Sequence, residues 1–270
     1  MHEFADDYRG WESQVRYFCR RYRCITFNAR GYPPSDIPKS NTKYSQLIAA
    51  GDIAAVMRHL KIKQAHIVGC SMGGNATVQF GLSYSRMARS LTALGMGSGS
   101  DKDKRAQTLK DAATIAQRLL DLDMREAIKP YTVGPSRVQF QNKDPRGWEE
   151  FVTRLFEHSE LGSANTMRGV QLRRPTIYSQ EAKLRRLKVP LHIISGDEDD
   201  RSLEPSIFVK RVCPSAVLSV MAGSGHAANL EEPALFNSIV NEFITLVDSG
   251  RWRPRDPRSL SKSTLTNKIC

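Results

Sequence analysis

The sequence predicts an α/β fold in which a mostly parallel sheet is flanked by helices and carries a helical cap insertion. Three observations support this prediction. Short apolar runs alternate with helical stretches over residues 11–96 and again over residues 190–247, as expected for parallel strands joined by helices. Between them, residues 101–187 are charged and show helical patterning without strand alternation. Finally, residues 69–73 (Gly-Cys-Ser-Met-Gly) form a glycine-rich turn between an apolar run and a helix.

The first part of the chain alternates between predicted helices and strands. Leu47, Ile53 and Val56 share one face of a helical stretch, which indicates an amphipathic helix. Cys24 to Asn28 is rich in residues that favour strands, and the glycine and prolines of residues 31–34 then break the chain. The predicted helices are residues 11–21, residues 44–60 and the stretch after Ser71, and the predicted strands are residues 24–28, 66–69 and 90–96.

The second part begins with the cap and then returns to the α/β pattern at Pro190. Helices are predicted at residues 106–122, 148–158 and 180–187 of the cap, then at 205–211 and 234–247, with strands at 191–195 and 217–221. We therefore divide the chain into a first core segment (1–97), a helical cap (98–189), a second core segment (190–249) and a basic flexible tail (250–270). Trp148 and Phe151 are expected either to line a pocket under the cap or to fill the core of the cap itself.

Composition excludes several classes of protein. Of the 270 residues 40% are hydrophobic, and no apolar run reaches the length that a membrane span needs. The first residues are acidic and poor in apolar side chains, which is unlike a signal peptide. The five cysteines are scattered without metal-ligand spacing, which favours reduced thiols and a cytoplasmic location.

The net charge of +12 raises the question of a nucleic-acid partner. The charge is +7 over residues 1–100, +6 over 101–190, −6 over 191–249 and +5 over 250–270. A nucleic-acid binder more often carries a continuous basic stripe with interleaved aromatic residues, and neither is evident. The distribution instead favours a weak preference for anionic substrates.

Ser71 is the candidate nucleophile. A sharp turn from strand to helix strains the serine backbone and exposes its hydroxyl, and glycines at both ends of the turn allow the close approach of neighbouring backbone. The amide of Met72, at the start of the helix, is placed to donate to a developing oxyanion. The alternative is a glycine-rich turn that holds an ordinary serine.

An acid and a base follow later strands in the order that a serine nucleophile requires. The acidic turn of residues 197–200 follows the strand at 191–195, and His226 follows the strand at 217–221. Because the carboxyl ends of parallel strands meet at one edge of a sheet, we expect these side chains to converge on Ser71. Taken singly, the acidic turn could be a solvated loop and His226 an ordinary buried histidine. Four other histidines, at positions 59, 66, 158 and 192, do not lie on such turns and are expected to be structural.

These turns resemble those of the α/β-hydrolases, and the resemblance extends from His2 to about Val247. The nucleophile turn matches residues 69–73, and the Gly-His turn followed by an acidic-Pro helix start matches residues 225–233. The Gly-Asp-x-Asp turn of the family matches residues 196–199 and implies that Asp199 is the acid, with Asp197 and Asp200 as alternatives.

The resemblance also implies a second oxyanion donor. The His-Gly oxyanion turn of the family is similar to residues 2–5, so the amide of Phe4 is the second donor beside that of Met72. Glu3 departs from the usual glycine, and His2 is expected to hold this turn rather than to act as a base. The Arg-Gly-x-Gly-x-Ser loop appears at residues 30–35 with a proline in place of the second glycine.

By this resemblance the chain is expected to be a serine hydrolase that cleaves a small-molecule carboxylic ester, lactone or thioester. A serine at position 71 distinguishes it from the haloalkane dehalogenases and epoxide hydrolases of the fold, which use aspartate there. A C–C bond hydrolase, a cofactor-free perhydrolase and a non-catalytic ligand-binding member are the alternatives. We expect no cofactor, no metal, and no nucleic-acid or membrane partner, and a homodimer is left open.

One expectation concerns the start of the sequence. In the family the oxyanion turn follows a central strand and an N-terminal hairpin, whereas His2 directly follows Met1. The strand would lie between the predicted strands at 24–28 and 66–69. We therefore expect a late start relative to a longer parent, with the first residues and the amide of Phe4 poorly held.

Overall fold

The sheet contains four parallel strands in the spatial order β1-β2-β3-β4, in a computed structural model that describes residues 1–260. The strands are β1 (Ala65–Cys70), β2 (Ala88–Leu94), β3 (Leu191–Gly196) and β4 (Ala216–Met221). Each is joined to the next by helices, which is the connection that parallel strands require. The strands predicted near 66, 90, 191 and 217 are confirmed to within two residues at each end.

Five of the α-helices in the described residues begin at a side chain that caps them. Ser45, Asp101, Asp123, Asp144 and Ser159 each accept a hydrogen bond from a backbone amide of the first turn that follows them. In chain order the helices are α1 (Glu12–Phe18), α2 (Gln46–His59), α3 (Met72–Ser83), α4 (Lys102–Asp121), α5 (Met124–Thr132), α6 (Val138–Lys143), α7 (Pro145–Leu155), α8 (Glu160–Thr166), α9 (Glu181–Leu184), α10 (Leu203–Val212), α11 (Ala228–Glu231) and α12 (Pro233–Asp248).

Helices cover both faces of the sheet, so the fold has three layers. On one face, apolar residues of α2, α3 and α10 pack against β1, β2 and β3. On the other, α1 and α12 pack against the opposite side chains of all four strands. Both faces of each central strand are therefore largely buried, including polar residues such as Ser90, Thr92 and His192.

All regular elements between β2 and β3 are helical, from α4 to α9, and this part of the described chain contains no strand. Helices α4 to α8 share a core with Phe4, Tyr32 and Met72 of the first core segment, so they cover the edge of the sheet at which Ser71 lies. Phe151 is fully buried against Phe140 in that core, which matches the core role weighed for it. The exact domain boundaries of the sequence-based division stay a prediction.

The strand predicted at residues 24–28 is wrong. This segment forms no ladder, because a cavity of about 450 Å³ separates residues 22–26 from β1, and α1 and α12 line its sides. A strand needs a neighbour about 5 Å away to satisfy its backbone groups. Among residues 1–260, Met1 is the one residue that pairs with β1 on that side. Its ammonium donates to the Val68 carbonyl (2.8 Å) and its carbonyl accepts from the Cys70 amide (3.1 Å).

The segment after α12 runs along the surface. The amide of Arg255 donates to the carbonyl of Pro214 at 2.9 Å, and residues 257–260 form a short 3-10 turn. The rest of the predicted flexible tail, residues 261–270, lies outside the described residues. Within residues 1–260, none of the helices combines the length and the apolar character that a membrane crossing demands.

Candidate active site

Ser71 lies in a strained turn between β1 and α3. Its φ of 52° and ψ of −109° are rare for a residue with a side chain and mark a site where the surroundings impose the conformation. The turn is also too tight for larger residues at its ends. A Cβ on Gly69 would lie 2.2 Å from the carbonyl oxygen of Gly73, and one on Gly73 would lie 2.2 Å from that of Met1.

Hydrogen bonds hold the backbone of Ser71 on both sides. Its amide donates to the carbonyl of Leu94 at the end of β2 (2.8 Å). Its carbonyl accepts from both the amide and the side chain of Asn75 in the first turn of α3 (2.9 Å each). The strained conformation is thus fixed by the neighbouring strand and by the helix that follows.

His226 and Asp199 form a buried pair after β4 and β3. Nδ1 of His226 lies 2.7 Å from Oδ2 of Asp199, and both side chains are almost fully buried. The alternatives to Asp199 lie elsewhere: Asp197 accepts from the amide of Ser224, and Asp200 is exposed. Among these three carboxylates, Asp199 is the one that bonds to the imidazole.

The pair favours the charged form of both partners. Burial by itself opposes ionisation of Asp199, but the charge of His226 outweighs it and the pKa of Asp199 lies below its ordinary value. Burial likewise disfavours the imidazolium form of His226, yet Asp199 raises its pKa above the ordinary value. An imidazole oriented in this way can accept a proton and keep it while a reaction proceeds.

The end of β2 brings Ser71 and His226 to the same place. Leu94 holds the amide of Ser71, and the next residue, Gly95, packs against the imidazole of His226. A Cβ on Gly95 would lie 3.2 Å from both Nδ1 and Cε1 of that ring. Ser71 and His226 thus both contact the end of β2, at the carboxyl edge of the sheet.

Glu231 is a further residue that holds the histidine loop. Its carboxylate accepts from the amide of Gly225 (2.6 Å) and from that of Ala227 (3.0 Å), which flank His226 on both sides. The side chain is buried, and burial raises its pKa above the ordinary value. The sequence motif included this position only as part of a helix start.

The turn at residues 2–5 is well held, which corrects the expectation of a loose start. Nδ1 of His2 lies 2.6 Å from the carbonyl of Glu3, and its Nε2 accepts from the amide of Ala29 at 2.9 Å. Because Nε2 accepts, the proton is on Nδ1, and burial lowers the pKa of His2 to about 4. The hydroxyl of Tyr32 donates to the carbonyl of Phe4 (2.8 Å), so His2 and Tyr32 together fix the position of Phe4.

Phe4 and Met72 are both buried and belong to one apolar cluster. Met72 is the first residue of α3, where the helix provides no acceptor for its amide. Within residues 1–260, the amide of Phe4 has no hydrogen-bond acceptor either. Amides that lack an acceptor are the kind of donor that an oxyanion site needs, so the roles predicted for Phe4 and Met72 stay predictions.

Arg137 was not identified from the sequence. It belongs to the cap, its side chain is fully buried, and it forms a bidentate ion pair with Glu3. Its guanidinium lies over the rings of Tyr131 (5.2 Å) and Phe151 (4.9 Å). The replacement of glycine by glutamate at position 3 was the available signal, because a buried carboxylate requires a partner.

Of the four histidines predicted to be structural, His59 is exposed at the end of α2, and the other three contact neighbouring side chains. His66 bonds to Ser90 and contacts Asp248, and His192 lies 2.9 Å from the hydroxyl of Ser219. His158 packs edge-on against Tyr32. Within residues 1–260, no group of three or more His, Cys, Asp or Glu side chains has an arrangement that could hold a metal ion.

Comparison with known proteins agrees with this architecture. A family model described as alpha/beta hydrolase fold matches residues 2–233. A 3-oxoadipate enol-lactonase of Acinetobacter baylyi is 26% identical over 239 residues, which cover 87% of this chain and 83% of the relative. A 2-hydroxy-6-oxononadienedioate/2-hydroxy-6-oxononatrienedioate hydrolase of Burkholderia vietnamiensis is 27% identical over 251 residues, covering 83% and 76%. The solved structure of MenH from S. aureus has a TM-score of 0.83 at 15% identity and covers 92% of each chain.

Proposed function

Because the chain belongs to the alpha/beta hydrolase fold family, we propose that it is a serine hydrolase that cleaves a carboxylic ester or lactone of a small molecule. Thioesters belong to the same class of acyl substrates. The hydrogen bond between Nδ1 of His226 and Asp199 carries the proposal, because it leaves Nε2 as the proton acceptor beside the Ser71 turn.

In the proposed mechanism, Oγ of Ser71 attacks the acyl carbon while its proton passes to Nε2 of His226. The amides of Phe4 and Met72 donate to the oxyanion of the tetrahedral intermediate. Asp199 stabilises the imidazolium, which then returns the proton to the leaving alcohol oxygen. Water attacks the acyl-enzyme with His226 again as the base, and the acid is released.

Hydrolysis of a C–C bond is the second candidate. A C–C hydrolase named for a dienedioate substrate is 27% identical to this chain over 251 residues. This relative is as similar to the chain as the enol-lactonase, so the family resemblance alone does not choose between the two reactions. A cofactor-free perhydrolase stays a further alternative. We also propose that the protein is cytoplasmic and has no nucleic-acid or membrane partner.

The test compares hydrolysis of p-nitrophenyl esters, an enol-lactone and a vinylogous 1,5-diketone by the wild-type chain and by Ser71→Ala. We expect the substitution to lower kcat on the preferred substrate by about 10³-fold or more and to leave the circular dichroism melt unchanged. Turnover of the diketone above that of every ester would instead favour C–C hydrolysis. Absence of turnover with every substrate, or equal turnover by Ser71→Ala, would refute catalysis by this serine and favour a ligand-binding role.

A further inference from the structure

Arg174 is a buried cation without an anionic partner. Its side chain is about nine-tenths buried, since the residue is only 9% exposed. One amino group donates to the carbonyl of Ser98, and the other, Nη1, has no hydrogen-bond partner among the described residues. Buried charges in proteins are normally paired, because removing a charge from water is costly.

A second arginine lies beside it. Arg105 donates from Nη1 to the carbonyl of Gly99 (2.7 Å) and from Nη2 to the carbonyl of Arg174 (3.5 Å). Within residues 1–260 neither guanidinium forms an ion pair with a carboxylate. Of the two acids just before Arg105, Asp103 is exposed, and Asp101 caps α4 and lies 3.9 Å from Lys104. Burial, together with the charge of Arg105, lowers the pKa of Arg174 to about 10, so Arg174 is still charged at neutral pH.

The two arginines are connected to the candidate active site through one loop. They donate to the carbonyls of Ser98 and Gly99 in the loop of residues 95–100. This loop begins at Gly95, which packs against the imidazole of His226. An anion bound by the pair would therefore lie on the cap side of the loop that leads to this imidazole.

We propose that Arg105 and Arg174 bind a carboxylate of the substrate, so that the ester or lactone cleaved at Ser71 carries a separate acid group. A carboxylate supplies the missing partner of Nη1 and the counter-charge that both guanidiniums lack. The planar fork of arginine matches the two oxygens of a carboxylate. The identity of the bond that is cleaved rests on the proposed hydrolase function. The binding of an anion by the two arginines does not depend on it.

The kinetic test uses two esters of equal acyl length, monoethyl adipate and ethyl hexanoate, which differ in a terminal carboxylate. We expect Arg174→Met to lower the ratio of kcat/KM for the anionic ester over the neutral ester by about 10–100-fold, as for the loss of a charge-assisted hydrogen bond. Arg173→Met is the matched control, because Arg173 is the exposed neighbour, and its ratio should equal that of the wild type. If Arg174→Met does not fold, Arg105→Met at the half-buried partner is used in the same way.

The binding test separates this inference from the proposed function. Adipate is titrated into Ser71→Ala and into Ser71→Ala/Arg174→Met by calorimetry, with no turnover required. Binding that depends on Arg174 supports the inference even if no ester is hydrolysed, in which case the hydrolase proposal alone fails. Two results would overturn the inference and leave the hydrolase proposal standing. One is Ser71-dependent hydrolysis in which Arg174→Met does not change the ratio of kcat/KM for the two esters. The other is adipate binding of equal affinity with and without Arg174.

Discussion

Replacement of Arg137 by methionine tests the buried ion pair that links the cap to the oxyanion turn. Nη1 of Arg137 donates to Oε1 of Glu3 at 2.6 Å, and the two side chains are 0% and 2% exposed. Methionine keeps most of the apolar contact with Tyr131 and Phe151 but removes the charge. The substitution therefore leaves the carboxylate of Glu3 buried without its partner.

Loss of one partner of a buried ion pair lowers the free energy of unfolding by about 3–5 kcal/mol. For a chain of this length, each kcal/mol corresponds to about 2–4 °C in Tm, so we expect Tm to fall by about 6–20 °C. Surface pairs contribute about 0–1 kcal/mol. Arg146→Met, which breaks the exposed pair with Glu150 in the same cap, is the matched control and should change Tm by no more than about 4 °C.

The effect of Arg137→Met should also depend on pH. In the wild type, burial opposes ionisation of Glu3, but the charge of Arg137 outweighs it and holds the pKa below the ordinary value. Glu3 therefore contributes stability above its unfolded pKa, and this contribution is lost as the pH falls through the folded pKa. Without Arg137 only burial remains, so the pKa of Glu3 rises and its ionisation destabilises the fold as the pH increases. The loss in Tm should be larger at pH 8 than at pH 5.

The assay is thermal unfolding followed by circular dichroism for Arg137→Met, Glu3→Gln and the double variant. We expect the double variant to lose less free energy of unfolding than the two single variants lose in sum. The double variant lacks both Arg137 and Glu3, so it leaves no unpaired charge in the core. A loss below about 1 kcal/mol for Arg137→Met, or the same loss at both pH values, would refute the view that this pair holds the turn of Phe4.

Three further predictions concern individual side chains. The kcat/KM for an ester should fall at acid pH with an apparent pKa above about 6.5, the ordinary value of histidine, because Asp199 raises the pKa of His226. In Asp199→Asn this fall should occur at lower pH, and the maximal kcat/KM should be about 10²–10⁴-fold lower. Burial, followed by the charge of Glu3, raises the pKa of Asp6 to about 7. The free energy of unfolding should therefore decline as the pH rises from the ordinary pKa of an aspartate to about 7. Asp6→Asn should raise Tm more at pH 8 than at pH 5, and an equal gain at both pH values would contradict this. Glu231→Ala leaves two amides of the histidine loop without an acceptor, so it should lower the free energy of unfolding by about 2–6 kcal/mol in urea unfolding. In steady-state kinetics it should lower kcat by a larger factor than it changes KM.

The parts of the fold that depend on local pattern could be predicted from the sequence. The four ladder strands lie in short stretches rich in apolar residues and bounded by turn residues. The nucleophile turn is recognisable because steric contacts require glycine at positions 69 and 73. The spacing of three residues after Gly196 identified the carboxylate that bonds to His226. Its catalytic role, like that of Ser71 and the oxyanion amides, stays a prediction.

The parts that depend on distant partners could not be predicted. Residues 24–28 have the composition of a strand, but a strand exists only where a neighbour completes its hydrogen bonds, and β1 lies across a cavity from them. Arg137 and Arg174 lie in helical or irregular segments of the cap, where no motif distinguishes them from exposed arginines. Their importance appears only when burial and the absence or presence of a carboxylate partner are known.

The position of β4 has a consequence for the response of the active site to heat. β4 is the outermost strand on its side of the described sheet, pairs with β3 alone and is half exposed along much of its length. Fraying of this strand breaks a single ladder and leaves the packing around β1, β2 and β3 in place, so its free energy should be lower than that of global unfolding. His226 follows β4 directly and would move away with it. Reversible heat inactivation should therefore begin several degrees below the loss of helical ellipticity, with amide exchange fastest along residues 216–221.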